Sequence, residues 1–159
     1  MKVKTILVPL DGSTLAEAAL PPAIDLARER GARLILLRAT EAHGSPLADP
    51  AEAQVTAVRG AEAYLAGVRT RIHAAELPAV DTSVWYGPPA DAIVEAARFR
   101  SVDLIVMSSH GRSGLGRLVL GSVAETVLRA TAVPILLIRP GEAPVEPLPA
   151  KGAREAINV

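Results

Sequence analysis

The sequence predicts an α/β fold in which an open parallel sheet carries helices on both faces. Three observations lead there. Short β-branched runs alternate with longer Ala-rich segments along the chain. Three of the runs, centred on Ile6-Leu-Val8, Leu34-Ile-Leu-Leu37 and Leu104-Ile-Val-Met107, are apolar at every position, as parallel strands buried on both sides require. The 159 residues suit a single core, and a hydrophobic fraction of 50% is enough to fill it.

The elements follow in order. Lys4–Pro9 is the first strand, and Asp11-Gly-Ser launches a helix over Thr14–Arg30 that Gly31 stops. Pro21-Pro22 should kink this helix or split it after its second turn. Arg33–Ala39 is the second strand, followed by a loop over 40–50 with Gly44, Pro46 and Pro50. In Ala51–Glu76 the residues Val55, Val58, Ala61, Leu65, Val68, Ile72 and Ala75 repeat at helical spacing and form one apolar stripe. Asp81–Tyr86 is polar enough to read as an edge strand. Pro89–Arg100 opens a helix on proline, where the missing N–H costs nothing. Asp103–Ser108 is the fourth strand. Ser122-Val-Ala-Glu125 has the pattern of a capping box for a helix over Val123–Thr131, and Pro134–Arg139 closes the sheet. Residues 1–140 thus make one domain, and the prolines at 140, 144, 147 and 149 mark 141–159 as a disordered tail.

Composition narrows the function. The 17 basic and 17 acidic residues cancel, and aromatics are 3% of the chain, which argues against nucleic acid as a partner. No apolar run is long enough for a membrane span or a signal peptide. The absence of cysteine removes thiol chemistry and fits a cytoplasmic protein.

In open α/β sheets ligands bind beyond the carboxyl ends of the strands, where the strand order reverses. Two strand ends here carry unusual residues, Pro9-Leu-Asp11-Gly-Ser13 and the run from Ser108 to Ser122. The second holds four glycines and four serines in fifteen residues and leads into a helix N-terminus, so backbone N–H groups can approach an oxyanion. No Asp or Glu occurs from Leu104 to Ala124, whereas His110, Arg112 and Arg117 can carry positive charge. A phosphate ligand is the natural occupant. The chain has no G-x-x-x-x-G-K-[ST] motif, and Gly114-Leu-Gly116 lacks the third glycine of a dinucleotide fingerprint. Asp11 could receive ribose hydroxyls, or only turn the chain into the helix.

The segments Ile6-Leu-Val-Pro-Leu-Asp11-Gly-Ser, Ser108-Ser-His-Gly111-Arg-Ser-Gly-Leu-Gly-Arg-Leu-Val-Leu-Gly121-Ser122-Val-Ala-Glu and Ala132-Val-Pro-Ile-Leu-Leu-Ile resemble the universal stress protein family. The resemblance covers residues 2 to about 140 and implies an open, Rossmann-like, five-stranded parallel sheet in the order 3-2-1-4-5. It implies ATP as the ligand, with Mg²⁺ or Mn²⁺ carried by its phosphates. ATP-binding members resemble G-x-x-G-x9-G-[ST]; Gly111, Gly121 and Ser122 match, and Ser108 stands where the first glycine would be. Serine there allows close backbone approach unless the position needs positive φ. The nucleotide-contacting positions implied are Pro9, Leu10, Asp11, Ala39, Met107, Ser108, His110, Gly111, Arg112, Gly114, Gly121, Ser122 and Val123. Asp11 would hold the ribose, Gly111, Arg112, Gly121 and Ser122 the phosphates, and Ala39 and Met107 would border the adenine.

The residues advertise binding more than catalysis. His110 has no acidic neighbour in sequence and reads as a loop-shaping or phosphate-neutralising residue, while His43 and His73 carry no signal. The expected function is an ATP-binding regulatory protein of the stress response, not an enzyme. An ATP-hydrolysing enzyme and a dimeric scaffold without nucleotide stay open. The apolar last strand, Pro134 to Arg139, is an edge in the implied order, and pairing two copies there predicts a homodimer, as the resemblance also implies.

Overall fold

A computed structural model of the chain describes residues 2–41, 49–72, 77–110 and 120–141. His43, His73, Gly111, Arg112, Gly114, Arg117 and the proline-rich tail lie outside the described residues.

Five strands, β1 (Thr5–Pro9), β2 (Arg33–Thr40), β3 (Val80–Tyr86), β4 (Leu104–Ser108) and β5 (Ile135–Ile138), form one sheet in the order β3-β2-β1-β4-β5. Every pairing is parallel. Alternation along each strand divides the core in two. Ile6, Val8, Leu34, Leu36, Leu104 and Val106 face α2 (Leu20–Arg30) and α3 (Pro50–Ile72), meeting Ala23, Ala27, Leu65 and Val68. Leu7, Ile35, Leu37, Ile105 and Met107 face α4 (Pro89–Phe99) and α5 (Ser122–Ala130), meeting Ile93, Ala96, Ala97, Ala124 and Val127. A one-residue slip of any central strand would exchange its two faces, so the register is set by side chains on both sides.

Three local expectations are corrected. The first helix breaks earlier than the prolines suggested. A single turn, α1 (Thr14–Glu17), ends at Ala18, and Pro21 and Pro22 fall in the first turn of α2, where proline leaves no carbonyl unpaired. Among the described residues the stripe on α3 is buried only from Ala61 to Ile72, and Val55 is 48% exposed. The capping box does not form. Gly121 is the N-cap of α5 and has no side chain to cap it with, and Glu125 pairs with Arg129 at 2.7 Å. Gly121 takes the position because its own N–H donates to the Ser109 carbonyl at 2.8 Å, which fixes where the helix begins.

Candidate functional site

The order reverses between β1 and β4, and the two unusual strand ends meet there. Leaving β1, the amide of Leu10 donates to the Leu37 carbonyl at 2.8 Å, and the chain turns at Asp11-Gly12-Ser13. Gly12 has φ +87°, a left-handed conformation that favours glycine. The Asp11 Oδ1 accepts the Ser13 N–H at 2.8 Å and the Ser13 hydroxyl at 2.5 Å, while Ser13 Oγ accepts the Ala16 N–H at 3.1 Å and caps α1. Asp11 therefore does launch the helix, and it also borders the cavity described next.

Leaving β4, Ser108, Ser109 and His110 are all buried. Among the described residues the one non-glycine with positive φ is Ser101, so Ser108 needs no glycine-like backbone. Its hydroxyl accepts the His110 N–H at 3.3 Å, a bond glycine could not make. Ser109 Oγ lies 2.9 Å from His110 Nδ1. Two adjacent residues thus form a hydroxyl–imidazole pair that the sequence reading did not identify. Across the loop, Gly121 must be glycine for a steric reason: a Cβ there would sit 2.8 Å from the Ser109 carbonyl oxygen.

A cavity of about 240 Å³ opens at this reversal, near the small end of ligand sites. Pro9, Leu10, Asp11, Ala39, Met107, Ser108, His110, Gly121, Ser122 and Val123 all line it. Gly111, Arg112 and Gly114 are the site positions that fall outside the described residues. Leu37, Ile93 and Met107 give it apolar walls, and its polar lining comes from Asp11 after β1 and from Ser108, Ser109, His110 and Ser122, between the end of β4 and the start of α5. His110 Nε2 is buried and has no hydrogen-bond partner among the described residues. An orphaned ring nitrogen of this kind costs on the order of 1–3 kcal/mol unless something satisfies it.

Behind the β1–α1 turn lies a polar cluster. Arg71 reaches both carboxylate oxygens of Glu17, at 3.0 and 2.9 Å, and the Tyr64 hydroxyl donates to Glu17 Oε1 at 2.8 Å. The Arg38 guanidinium stacks over the Tyr64 ring, 4.7 Å from its centroid. The Arg71 hydrogen bonds hold the Glu17 carboxyl below its ordinary 4.5 against the opposing effect of burial, with the Tyr64 bond adding to the lowering. Burial, then the bond to Glu17, pushes the Tyr64 hydroxyl far up. Because folded Glu17 binds its proton more weakly than unfolded Glu17, its pairing stabilises the fold fully above its ordinary value and fades as pH falls through the lower folded one. The stability difference between the wild type and Glu17→Gln in urea titrations should therefore shrink as pH falls from above 4.5 through the lower folded value. A difference that stays constant over that range would refute this account of the pairing.

The model of the universal stress protein family matches residues 2–139. The chain belongs to that family. The universal stress protein in the QAH/OAS sulfhydrylase 3′ region of Thermus aquaticus is 36% identical over 141 residues, covering 86% of this chain and 98% of that protein. The universal stress protein UspA from Lactobacillus plantarum superposes with a TM-score of 0.77 at 25% identity, covering 87% of this chain and 99% of that one. A universal stress protein solved in complex with cAMP gives a TM-score of 0.66 at 27% identity, over 87% of this chain and 98% of that one.

Sequence reading missed several walls of the universal stress protein cavity, among them Leu37, Pro89, Ile93 and Ser109. Leu37 had a signal, since strand alternation puts it on the same face as Ala39. Pro89 and Ile93 share one face of α4 at a spacing of four, but nothing local says that this helix end reaches the crevice.

Proposed function

We propose that this universal stress protein binds ATP at the β1/β4 reversal and serves in the cytoplasm as a nucleotide-dependent regulatory protein of the stress response, with at most slow hydrolysis. The observation that carries the reading is the buried Nε2 of His110, without a hydrogen-bond partner among the described residues, beside an α5 N-terminus whose N-cap is a glycine. With Ser109 Oγ engaging Nδ1, the other ring nitrogen, Nε2, is the one a phosphoryl oxygen would satisfy when it carries a proton. The free N–H groups at the start of α5 favour an anion by about 0.3–1 kcal/mol, up to ~2 when partly buried. The family member solved with cAMP supports an adenine nucleotide as the class of ligand.

In this reading the Asp11 carboxylate accepts ribose hydroxyls, Ala39 and Met107 border the base, and Gly121, Ser122 and His110 face the phosphates. Gly111, by the motif match, and Arg112 and Gly114, by the family resemblance, complete the phosphate loop, and Mg²⁺ or Mn²⁺ enters on the phosphates. Protein stripped of nucleotide and melted in a Mg-ATP titration tests it. At 100 times the dissociation constant the ligand adds about 2.7 kcal/mol, a visible rise in Tm. A flat melt would overturn the reading and favour a scaffold without nucleotide.

The proposal includes a homodimer paired through β5. That edge strand is Ile-Leu-Leu-Ile, and Leu136 on it and Leu128 on α5 are 39% and 50% exposed. Light scattering at micromolar concentration should give twice the 16.5 kDa chain mass, and Leu136→Asp should lower it toward one. A single species at monomer mass in the wild type would refute the dimer.

A further inference from the structure

The side chain of Arg38 lies on the face of β2 opposite the cavity, yet it sits beside Gly12 of the turn that carries Asp11. A Cβ at Gly12 would meet Arg38 first: the three nearest heavy atoms are its Nη2, Nη1 and Cζ, at 3.4, 3.5 and 3.6 Å. The guanidinium therefore fills the space into which a side chain at this exposed, left-handed glycine would project, with the Tyr64 ring on it as well. Tyr64 is fixed in turn by Glu17, which sits on α1 four residues beyond Ser13, and Arg71 clamps Glu17 with two hydrogen bonds. The turn is thus braced from both ends, by Arg38 at Gly12 and by Glu17 on α1. Glycine without such bracing has the widest backbone freedom of any residue. A flat, delocalised guanidinium stacks on the phenol ring and still covers the space beside Gly12, which a compact ammonium on a flexible stem does less well.

We propose that Arg38 is a positioning residue for the ribose end of the nucleotide, acting through Gly12 to hold the Asp11 carboxylate in place. The inference rests on the adenine-nucleotide reading above. It requires that the effect of Arg38 be felt only by ligands whose ribose hydroxyls Asp11 can accept. Titration calorimetry with Mg-ATP and with Mg-2′,3′-dideoxy-ATP separates this from a general loss of structure. In the wild type ATP should bind more tightly than the dideoxy analogue. Arg38→Ala should weaken ATP by about tenfold and leave the analogue unchanged, so that the preference for the ribose collapses. Arg38→Lys should behave as Arg38→Ala does, and it guards against a folding defect in the alanine variant because it keeps the charge and most of the stem.

Equal losses for both ligands, or no loss for ATP, would overturn the positioning role while leaving ATP binding intact. A wild-type ribose preference retained in Arg38→Lys would also overturn it, by showing that charge suffices without the stack. Absence of ATP binding in the wild type would instead remove the nucleotide reading itself, and the inference with it.

Discussion

Gly121→Val should abolish the thermal shift that Mg-ATP gives the wild type. Gly121 has φ −56° and ψ 144°, a conformation open to any residue, so the effect is not backbone strain. It is contact. The valine Cβ would be placed 2.8 Å from the Ser109 carbonyl oxygen and 3.6 Å from the His110 Cα, and both neighbours are backbone atoms that cannot swing aside. Relief requires the start of α5 to move away from the end of β4, which breaks the 2.8 Å bond from the Gly121 N–H to Ser109 and separates the groups proposed to face the phosphates. Differential scanning fluorimetry with and without saturating Mg-ATP checks it. Gly67→Ala is the control: that glycine is exposed in the middle of α3, and nothing lies within 4 Å of an added Cβ. The control should gain about 0.5–1 kcal/mol of stability from helix propensity and keep the ligand shift. A wild-type-sized shift in Gly121→Val would mean that the α5 end is not where the phosphates sit.

The second large effect belongs to the core. Leu36 is fully buried at the centre of β2, on the face covered by α2 and α3 with Leu65 and Val68. Leu36→Ala should cost about 2–5 kcal/mol, the range for a leucine whose surroundings relax only in part. For a chain of this size that lowers Tm by roughly 5–20 °C. Urea unfolding at fixed pH gives the value, and a cost under about 1 kcal/mol would mean that the helices collapse into the space.

Much of the fold was legible because parallel strands covered on both faces leave a simple mark. Ile6-Leu-Val8, Leu34 to Leu37 and Leu104 to Met107 are apolar at successive positions, and both faces of each proved to be core. Helix ends were less legible because long-range contacts decide them. Ser122 and Glu125 have the capping pattern, but the bond from Gly121 to Ser109 starts the helix one residue earlier, and no local rule contains that bond. The α3 stripe was read at full length because spacing alone does not say how far the core extends, and Val55 has the right spacing yet is 48% exposed. The candidate site shows the same division. Asp11 and Ser108 follow from strand ends at the order reversal, whereas Pro89 and Ile93 come from a helix whose approach depends on the packing of α4 against β2.

Ser108 has a consequence for the thermodynamics of any ligand at this reversal. Glycine at that place would loosen the unfolded chain and leave the His110 amide without this acceptor. Serine narrows the accessible backbone states, keeps an ordinary strand conformation, and ties down His110, two residues on, through its hydroxyl. The strand end is therefore preorganised before a ligand arrives, and less conformational entropy is lost on binding than at a more pliant glycine hinge.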